Sequence, residues 1–256
     1  MKVVVAGELP LAEEVFQLCV AAGHTTSLYL VETLTDAFTT QRLRADANAA
    51  DVAVECHNES REAKARLIEL LGGARLLGAS ALACATTEVA SGAARPETVT
   101  GWGALPPLGA GGTVELAAGL RTGAEALERA EAFWRSLGLA VTRVPDGPGL
   151  VRARIVCALV NEAAVALQEG VASAADIDTA LRLGLNYPHG PLAWGDLIGL
   201  DVVLGVMTGL FTEYGDDRYR PAPLLRRYVQ AGWLGRKAGR GFFEYPASPS
   251  EAGGRA

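Results

Sequence analysis

Histidine, cysteine, methionine and lysine are all scarce in this chain of 256 residues: three histidines, four cysteines, two methionines, and lysine only at positions 2, 64 and 237. Cys19, Cys56, Cys84 and Cys157 form no CxxC pair and no cluster with histidine, so neither a zinc site nor a disulfide framework is indicated, and small core residues are expected. No apolar run reaches the roughly 18–20 residues that span a bilayer, and the opening MKVVVAG reads as a strand, not a signal segment. A formal net charge of -6 offers no basic face to nucleic acid or anionic lipid. The expectation from these absences is a cytoplasmic protein without metal, nucleic acid or membrane among its partners. What the chain has in quantity is apolar residue: 50% is hydrophobic and 20% charged, enough for buried cores, and the length suggests two domains.

The first half alternates strand-like and helix-like runs, as a parallel α/β sheet requires. Strands are expected near Lys2 to Ala6, Thr26 to Val31, Asp51 to Cys56, Leu76 to Ala79, Val99 to Trp102 and Val114 to Ala117. Helices are expected from Pro10 to a Gly23 stop, over Arg61 to Leu71 and over Gly123 to Leu137. Strand signals end near Pro145-Asp146-Gly147-Pro148. The predicted division is therefore a first domain over 1–147, an all-α domain over 148–247 and a polar tail over 248–256. Ser173 and Asp176 form a capping-box pattern. The helix Asp201 to Tyr214 is apolar on nearly every side, and a partner subunit covers such a helix more readily than a domain of about 100 residues does; a homodimer is the expectation.

The stretches GPGLVRARIVCALVNEA, GVASAADIDTALRLGLNYPHGPLAWGDLIGLDVV and GRKAGRGFFEY resemble, over 147–245, the C-terminal domain of the L-3-hydroxyacyl-CoA dehydrogenases, including the 3-hydroxybutyryl-CoA dehydrogenases. AAGH at 21–24, ADVAVE at 50–55 and the segment from Glu88 through Arg95-Pro96-Glu97 to Glu115 are similar to the family's first domain. The resemblance implies an α/β fold: a Rossmann-like parallel-sheet domain followed by an all-α, 6-phosphogluconate-dehydrogenase-like C-terminal domain. It also implies an oxidoreductase of fatty acid metabolism that uses NAD to oxidise an L-3-hydroxyacyl-CoA to the 3-ketoacyl-CoA. In that family a histidine removes the hydroxyl proton, a glutamate orients the histidine, and serine and asparagine hold the substrate.

Carried over position by position, the resemblance puts the histidine at Gly103, within Gly103-Ala104-Leu105-Pro106-Pro107, the serine pair at Leu82 and Ala83, and the asparagine at Ala153. The glutamate is kept as Glu115. The glycines of the G-x-G-x-x-G turn fall on Gly7, Leu9 and Ala12, so a branched side chain stands where backbone should approach the pyrophosphate, with Pro10 removing a donor beside it. The ribose-binding acid falls on Leu30, with Glu32 as a substitute two residues on. Glu59 and Lys64 keep the spacing of a Glu and a Lys near the family's cleft. About 20 residues separate Val31 from Asp51, where relatives carry a long helical hairpin that helps cover the CoA. His57, just after the third strand, is the histidine placed to act as a surrogate base; His24 is expected to be solvated or backbone-bonded after the first helix, and His189 to serve a turn. Two readings follow. One is a family member with lost or strongly reduced catalysis, a possible pseudoenzyme acting as a dimeric binding or assembly protein, with doubtful NAD binding and acyl-CoA as a possible ligand. The alternative is a divergent but active NAD-dependent dehydrogenase. The first is favoured because three of the four catalytic positions are changed.

Overall fold

A computed structural model describes residues 1–246. The first strand, β1 (Lys2–Gly7), runs into α1 (Leu11–Ala21), which buries Leu11, Val15 and Leu18 and ends with Gly23 at φ +78, the left-handed stop its sequence position suggests. There follow β2 (Thr25–Leu30), α2 (Ala37–Asn48), β3 (Val52–Cys56), α3 (Arg61–Leu71), β4 (Leu77–Ser80), α4 (Thr86–Ser91), β5 (Val99–Gly103), β6 (Thr113–Ala117), α5 (Ala124–Ser136) and β7 (Ala140–Arg143). They form one sheet of seven strands in the order β2-β1-β3-β4-β5-β6-β7. The pairing is parallel throughout except between β5 and β6. The expected Rossmann-like parallel-sheet domain is present, and within it β6 and β7 run against the other five strands, because the connection from β5 is a loop with no crossover helix to reverse the chain.

β1 and β3 lie close enough that a Cβ at Gly7 would come within 2.6 Å of the Cys56 side chain. Gly7 thus has a packing role whatever binds near it. Trp102 stacks on Trp134 at 4.7 Å between ring centroids and donates its indole N–H to the Glu55 carbonyl at 3.1 Å, tying α5 to the middle of the sheet.

The helical half consists of α6 (Arg152–Gln168), α7 (Ala174–Leu185), α8 (Pro191–Ile198), α9 (Leu200–Tyr214) and α10 (Pro223–Gln230). Ser173 Oγ accepts the Asp176 N–H, the capping box read from the sequence. Asp178 reaches across from α7 and accepts the N–H groups of Leu192 and Ala193, both at 2.8 Å, at the start of α8. α9 is buried by its own chain: Leu200, Val203, Val206, Met207 and Leu210 are fully enclosed, packed against α6, α8 and α10. Its glycines press on the sheet domain, since a Cβ at Gly209 would lie 2.1 Å from the Ala83 carbonyl and one at Gly205 2.8 Å from that of Asn58. The face of α9 bearing Gly205 and Gly209 is thus covered by the sheet domain, and the expected homodimer draws no support from this helix. Among the described residues no single helix is long and apolar enough to cross a membrane.

The GRKAGRGFFEY segment folds back over Asp196 of α8. The buried Asp196 carboxylate accepts the N–H groups of Phe242 and Phe243, each at 2.9 Å, and the Tyr245 hydroxyl at 3.0 Å. Gly235 and Gly241 allow this approach, because a Cβ at either would fall within 2.3 Å of Asp196. The expected tail over 248–256 lies outside the described residues.

Candidate functional site

Strand order reverses between β1 and β3, and the crevice beyond the carboxyl ends of those strands is where open α/β sheets take their ligands. Two side chains bridge it here. Glu8, one residue past β1, turns its carboxylate across the crevice: Oε1 accepts the Asn58 N–H at 2.8 Å, and Oε2 lies 2.6 Å from His57 Nδ1. His57 Nε2 accepts the Ser60 N–H at 3.0 Å. The imidazole is at the sheet edge as expected, but it is buried and both of its nitrogens are engaged, so it presents no free lone pair to a substrate hydroxyl. Burial alone would lower the His57 pKa; the Glu8 carboxylate, helped by the charge of Glu55, outweighs it and raises the value.

Beneath the crevice, Glu55 on β3 is wholly buried. Its Oε2 accepts from Lys64 Nζ at 2.5 Å and from the Ser80 N–H at 3.0 Å, while Oε1 accepts the His57 N–H. Burial works against the Lys64 charge, yet the adjoining Glu55 carboxylate holds its pKa above the ordinary value. Burial pushes the Glu55 carboxyl up against the opposing pull of Lys64. With both backbone donors also aimed at the carboxylate, we assign an ionic pair. Lys64 therefore lies in the cleft wall with its ammonium committed to Glu55.

Gly103, where the sequence resemblance put a histidine, stands directly opposite Glu115 in the β5–β6 register. Hydrocarbon occupies the space there: a Cβ on Gly103 would come 2.8 Å from Leu150 Cδ1 and 3.3 Å from Leu82 Cδ2, so a side chain at this position must displace the Leu150 tip. Leu150, held at φ +49, packs with Ala81 and Ala117 into a small apolar cluster, and Ala153 is buried nearby in sequence at the start of α6. Glu115 caps that helix, with one oxygen accepting the Val151 N–H at 3.2 Å and both within 3.1 Å of the Arg152 N–H.

The open part of the cleft lies between the two halves of the chain. Two cavities of about 430 and 440 Å³ adjoin there and share Glu59, Asp201 and Leu234. The second is also lined by Glu8, Leu9, Pro10 and Glu32, and Leu9 is 45% exposed. Glu32 sits in the short turn after β2, facing the same cavity. Asp201, in the first turn of α9, pairs through Oδ2 with Lys237, while its buried Oδ1 receives no hydrogen bond from any described donor. The Glu59 carboxyl group is within hydrogen-bonding reach of Asp201. Burial, the contact with Asp201 and the charges of Glu8 and Asp201 together raise the Glu59 pKa from 4.5 to about 7, against the pull of Lys237.

A pH effect follows. The folded chain keeps a proton on Glu59 between about pH 4.5 and 7 that the unfolded chain releases, so folding stability falls as pH rises through that window. Urea titrations at pH 5 and pH 7.5 should show the loss, and Glu59→Gln should flatten it; an equal slope in the variant would refute the assignment.

Of the residues singled out by sequence, Leu9, Glu32, Glu59, Lys64 and His57 come together around the cleft. Ala12 is buried in α1, while Gly103, Glu115 and Ala153 lie among or beside the apolar cluster. His24 lies stacked near Phe133 and His189 edge-on to Trp194, both away from these groups. Glu8, Leu150, Asp201 and Lys237 were not anticipated. Two of them carried a legible signal: Glu8 is the acid inside the turn that should pass a phosphate, and Asp201 is the acid that opens an otherwise apolar helix.

A sheet with a switch-point crevice, joined to a helical domain that closes over it, is the architecture of dinucleotide-type dehydrogenases. The family description "3-hydroxyacyl-CoA dehydrogenase, C-terminal domain" matches residues 149–245. The chain is 38% identical over 209 residues to a probable 3-hydroxybutyryl-CoA dehydrogenase of Bacillus subtilis, covering 80% of this chain and 73% of that one. It is 38% identical over 195 residues to a 3-hydroxybutyryl-CoA dehydrogenase of Clostridioides difficile, covering 76% and 69%. Among solved structures, (S)-3-hydroxybutyryl-CoA dehydrogenase PaaH1 of Ralstonia eutropha superposes with a TM-score of 0.76 at 30% identity, covering 96% of this chain and 99% of that one. The chain belongs to the 3-hydroxyacyl-CoA dehydrogenase family.

Proposed function

We propose that this family member binds ligand in its cleft without carrying out the family's alcohol oxidation. The observation that supports this most directly is the hydrocarbon filling around Gly103: where a base would face Glu115 there is Leu150 against Leu82, and the glutamate is engaged by two backbone N–H groups. Loss of a general base costs about 10²–10⁴ in rate, and the neighbouring glutamate cannot take its place while it caps α6.

The residues of the crevice also suit NAD poorly. A diphosphate brought to the start of α1 would meet the Leu9 side chain, a proline without an N–H and the inward-turned Glu8 carboxylate, with Glu32, Glu59 and Asp201 adding charge of its own sign. Self-association remains part of the proposal on different grounds from α9: Ile155 on α6, and Leu183 and Leu185 on α7, are exposed by 62%, 74% and 57%.

The test is reduction of acetoacetyl-CoA by NADH at micromolar protein. No rate above buffer is expected. A turnover within about 100-fold of the 10 s⁻¹ typical of enzymes would overturn the proposal and favour the active reading, in which Glu115 leaves the α6 terminus.

A further inference from the structure

The first of the two cavities, of about 430 Å³, is walled largely by hydrocarbon: Ala83 and Cys84 after β4, Leu204 on α9, Val229 on α10 and Leu234 beyond it. The cations that reach it are already engaged. Lys64 pairs with Glu55, and Arg61 with Glu88, while the lining acid Asp201 is paired with Lys237. Glu59, at the boundary with the second cavity, has no ion pair among the described residues and sets the mouth against an anionic ligand. One buried polar group in this wall remains open. Asn58, in the turn between β3 and α3, is 5% exposed and lines the cavity. Its backbone N–H is taken by Glu8, and its side-chain Oδ1 accepts the Ser80 hydroxyl at 2.7 Å. Ser80 is wholly buried at the end of β4, so this bond fixes which way the amide faces. The Nδ2 end donates to no described acceptor and is not sealed from solvent. Gly205 of α9 holds the turn in place, since a Cβ there would fall 2.8 Å from the Asn58 carbonyl oxygen.

We propose that this cavity binds a small uncharged carbonyl compound, its oxygen on the Asn58 Nδ2 donors and its aliphatic chain against Leu204, Val229 and Leu234. The inference rests on, and deepens, the reading of a cleft that holds ligand without oxidising it. An amide whose oxygen is committed presents two N–H donors and no acceptor, and a carbonyl oxygen, with two lone pairs and no proton, is its complement. An ammonium would set N–H against N–H at that point. A carboxylate would match the amide but meet the charge of Glu59. One oriented polar group at the floor of an apolar cavity is also how small-molecule sites fix the pose of a ligand. Ser80 is a positioning residue in this arrangement: it acts through Asn58, deciding whether the amide shows nitrogen or oxygen to the cavity.

Calorimetric titration of the whole chain near neutral pH with N,N-dimethylhexanamide, n-hexylammonium and hexanoate tests this. The three heads are an uncharged acceptor, a cationic donor and an anionic acceptor on similar chains. The expected result is a single saturable site for the amide, at least about 10-fold tighter than for either ion. Asn58→Leu should weaken the amide about 10-fold and leave the ammonium within about 2-fold. Ser80→Ala frees the Asn58 side chain to turn over, and should lower the margin of amide over ammonium by about 3-fold or more while amide binding persists. Thr208→Trp, at an exposed edge of the cavity, should weaken the amide by obstruction and gives a reading that does not depend on a buried substitution. Equal affinity for the three heads, tighter binding of the ammonium, or no saturable heat would overturn the inference. So would amide binding indifferent to Asn58→Leu or to Thr208→Trp, or an unchanged margin in Ser80→Ala. Turnover of acetoacetyl-CoA refutes the functional reading; loss of the preference for an uncharged carbonyl refutes this inference alone.

Discussion

Lys64→Met should cost about 3–5 kcal/mol of folding free energy, because it leaves the Glu55 carboxylate charged and fully enclosed with only two backbone donors. Urea denaturation measures the loss as a lower midpoint at unchanged slope. The orphaned carboxyl favours binding a proton, and with its folded pKa raised above the unfolded one the variant should lose stability as pH rises above the ordinary carboxylate range. Adding Glu55→Gln removes the charge and keeps an acceptor for one of the two backbone donors, the other then facing the amide NH2, so the double variant should regain part of the loss. A Lys64→Met effect under about 1 kcal/mol, or no recovery in the double variant, would mean that the pair is not the buried ionic contact described here. The result also bears on function: a lysine whose removal acts chiefly on folding is doing a different task from one that reaches for a ligand.

The second large effect is expected at Asp196. Its carboxylate receives two backbone N–H groups and the Tyr245 hydroxyl, and Asp196→Ala strands all three donors beneath the wrapped C-terminal segment. Each buried donor left unmet costs about 1–3 kcal/mol, so a loss of about 3–5 kcal/mol is expected, or roughly 6–20 °C in Tm for a chain of this size. Asp196→Asn keeps one oxygen acceptor and should fall between. Limited proteolysis would separate this from a diffuse core defect: cleavage in Asp196→Ala should begin in the segment around Arg236 and Arg240, and early cleavage elsewhere would contradict the anchoring role.

The sequence placed most elements within a residue or two because their signals are local. α3 begins at a Ser60 cap and buries one face, and α1 stops at a glycine that can take positive φ. What it did not reveal is instructive. β7 is four residues long and mostly exposed, so no alternation could distinguish it, and its direction depends on a partner strand. α2 buries only Leu43 and Ala47, too little apolar pattern to mark a helix. The burial of α9 was judged from its composition, whereas the answer lay in Gly205 and Gly209, which let the sheet domain approach.

The site was legible in part for the same reason. Strand register sets Gly103 opposite Glu115, and Leu9 follows β1 by two residues at the cavity wall. Their present contacts come from residues distant in sequence. Leu150 fills the space at Gly103 from a turn some 47 positions later, and Asp201 meets Glu59 only once the helical half has closed over the sheet. Neither meeting has a sequence pattern of its own.

Leu150 has an implication for how the chain can change over generations. An imidazole introduced at position 103 must push the Leu150 side chain aside, and trimming Leu150 first opens a void in a compact cluster without supplying any acid–base group. On the proposed reading, a base at this place therefore needs two changes together, a new side chain at 103 and room made for it at 150, and the carboxylate that would orient that base must also be released from its helix.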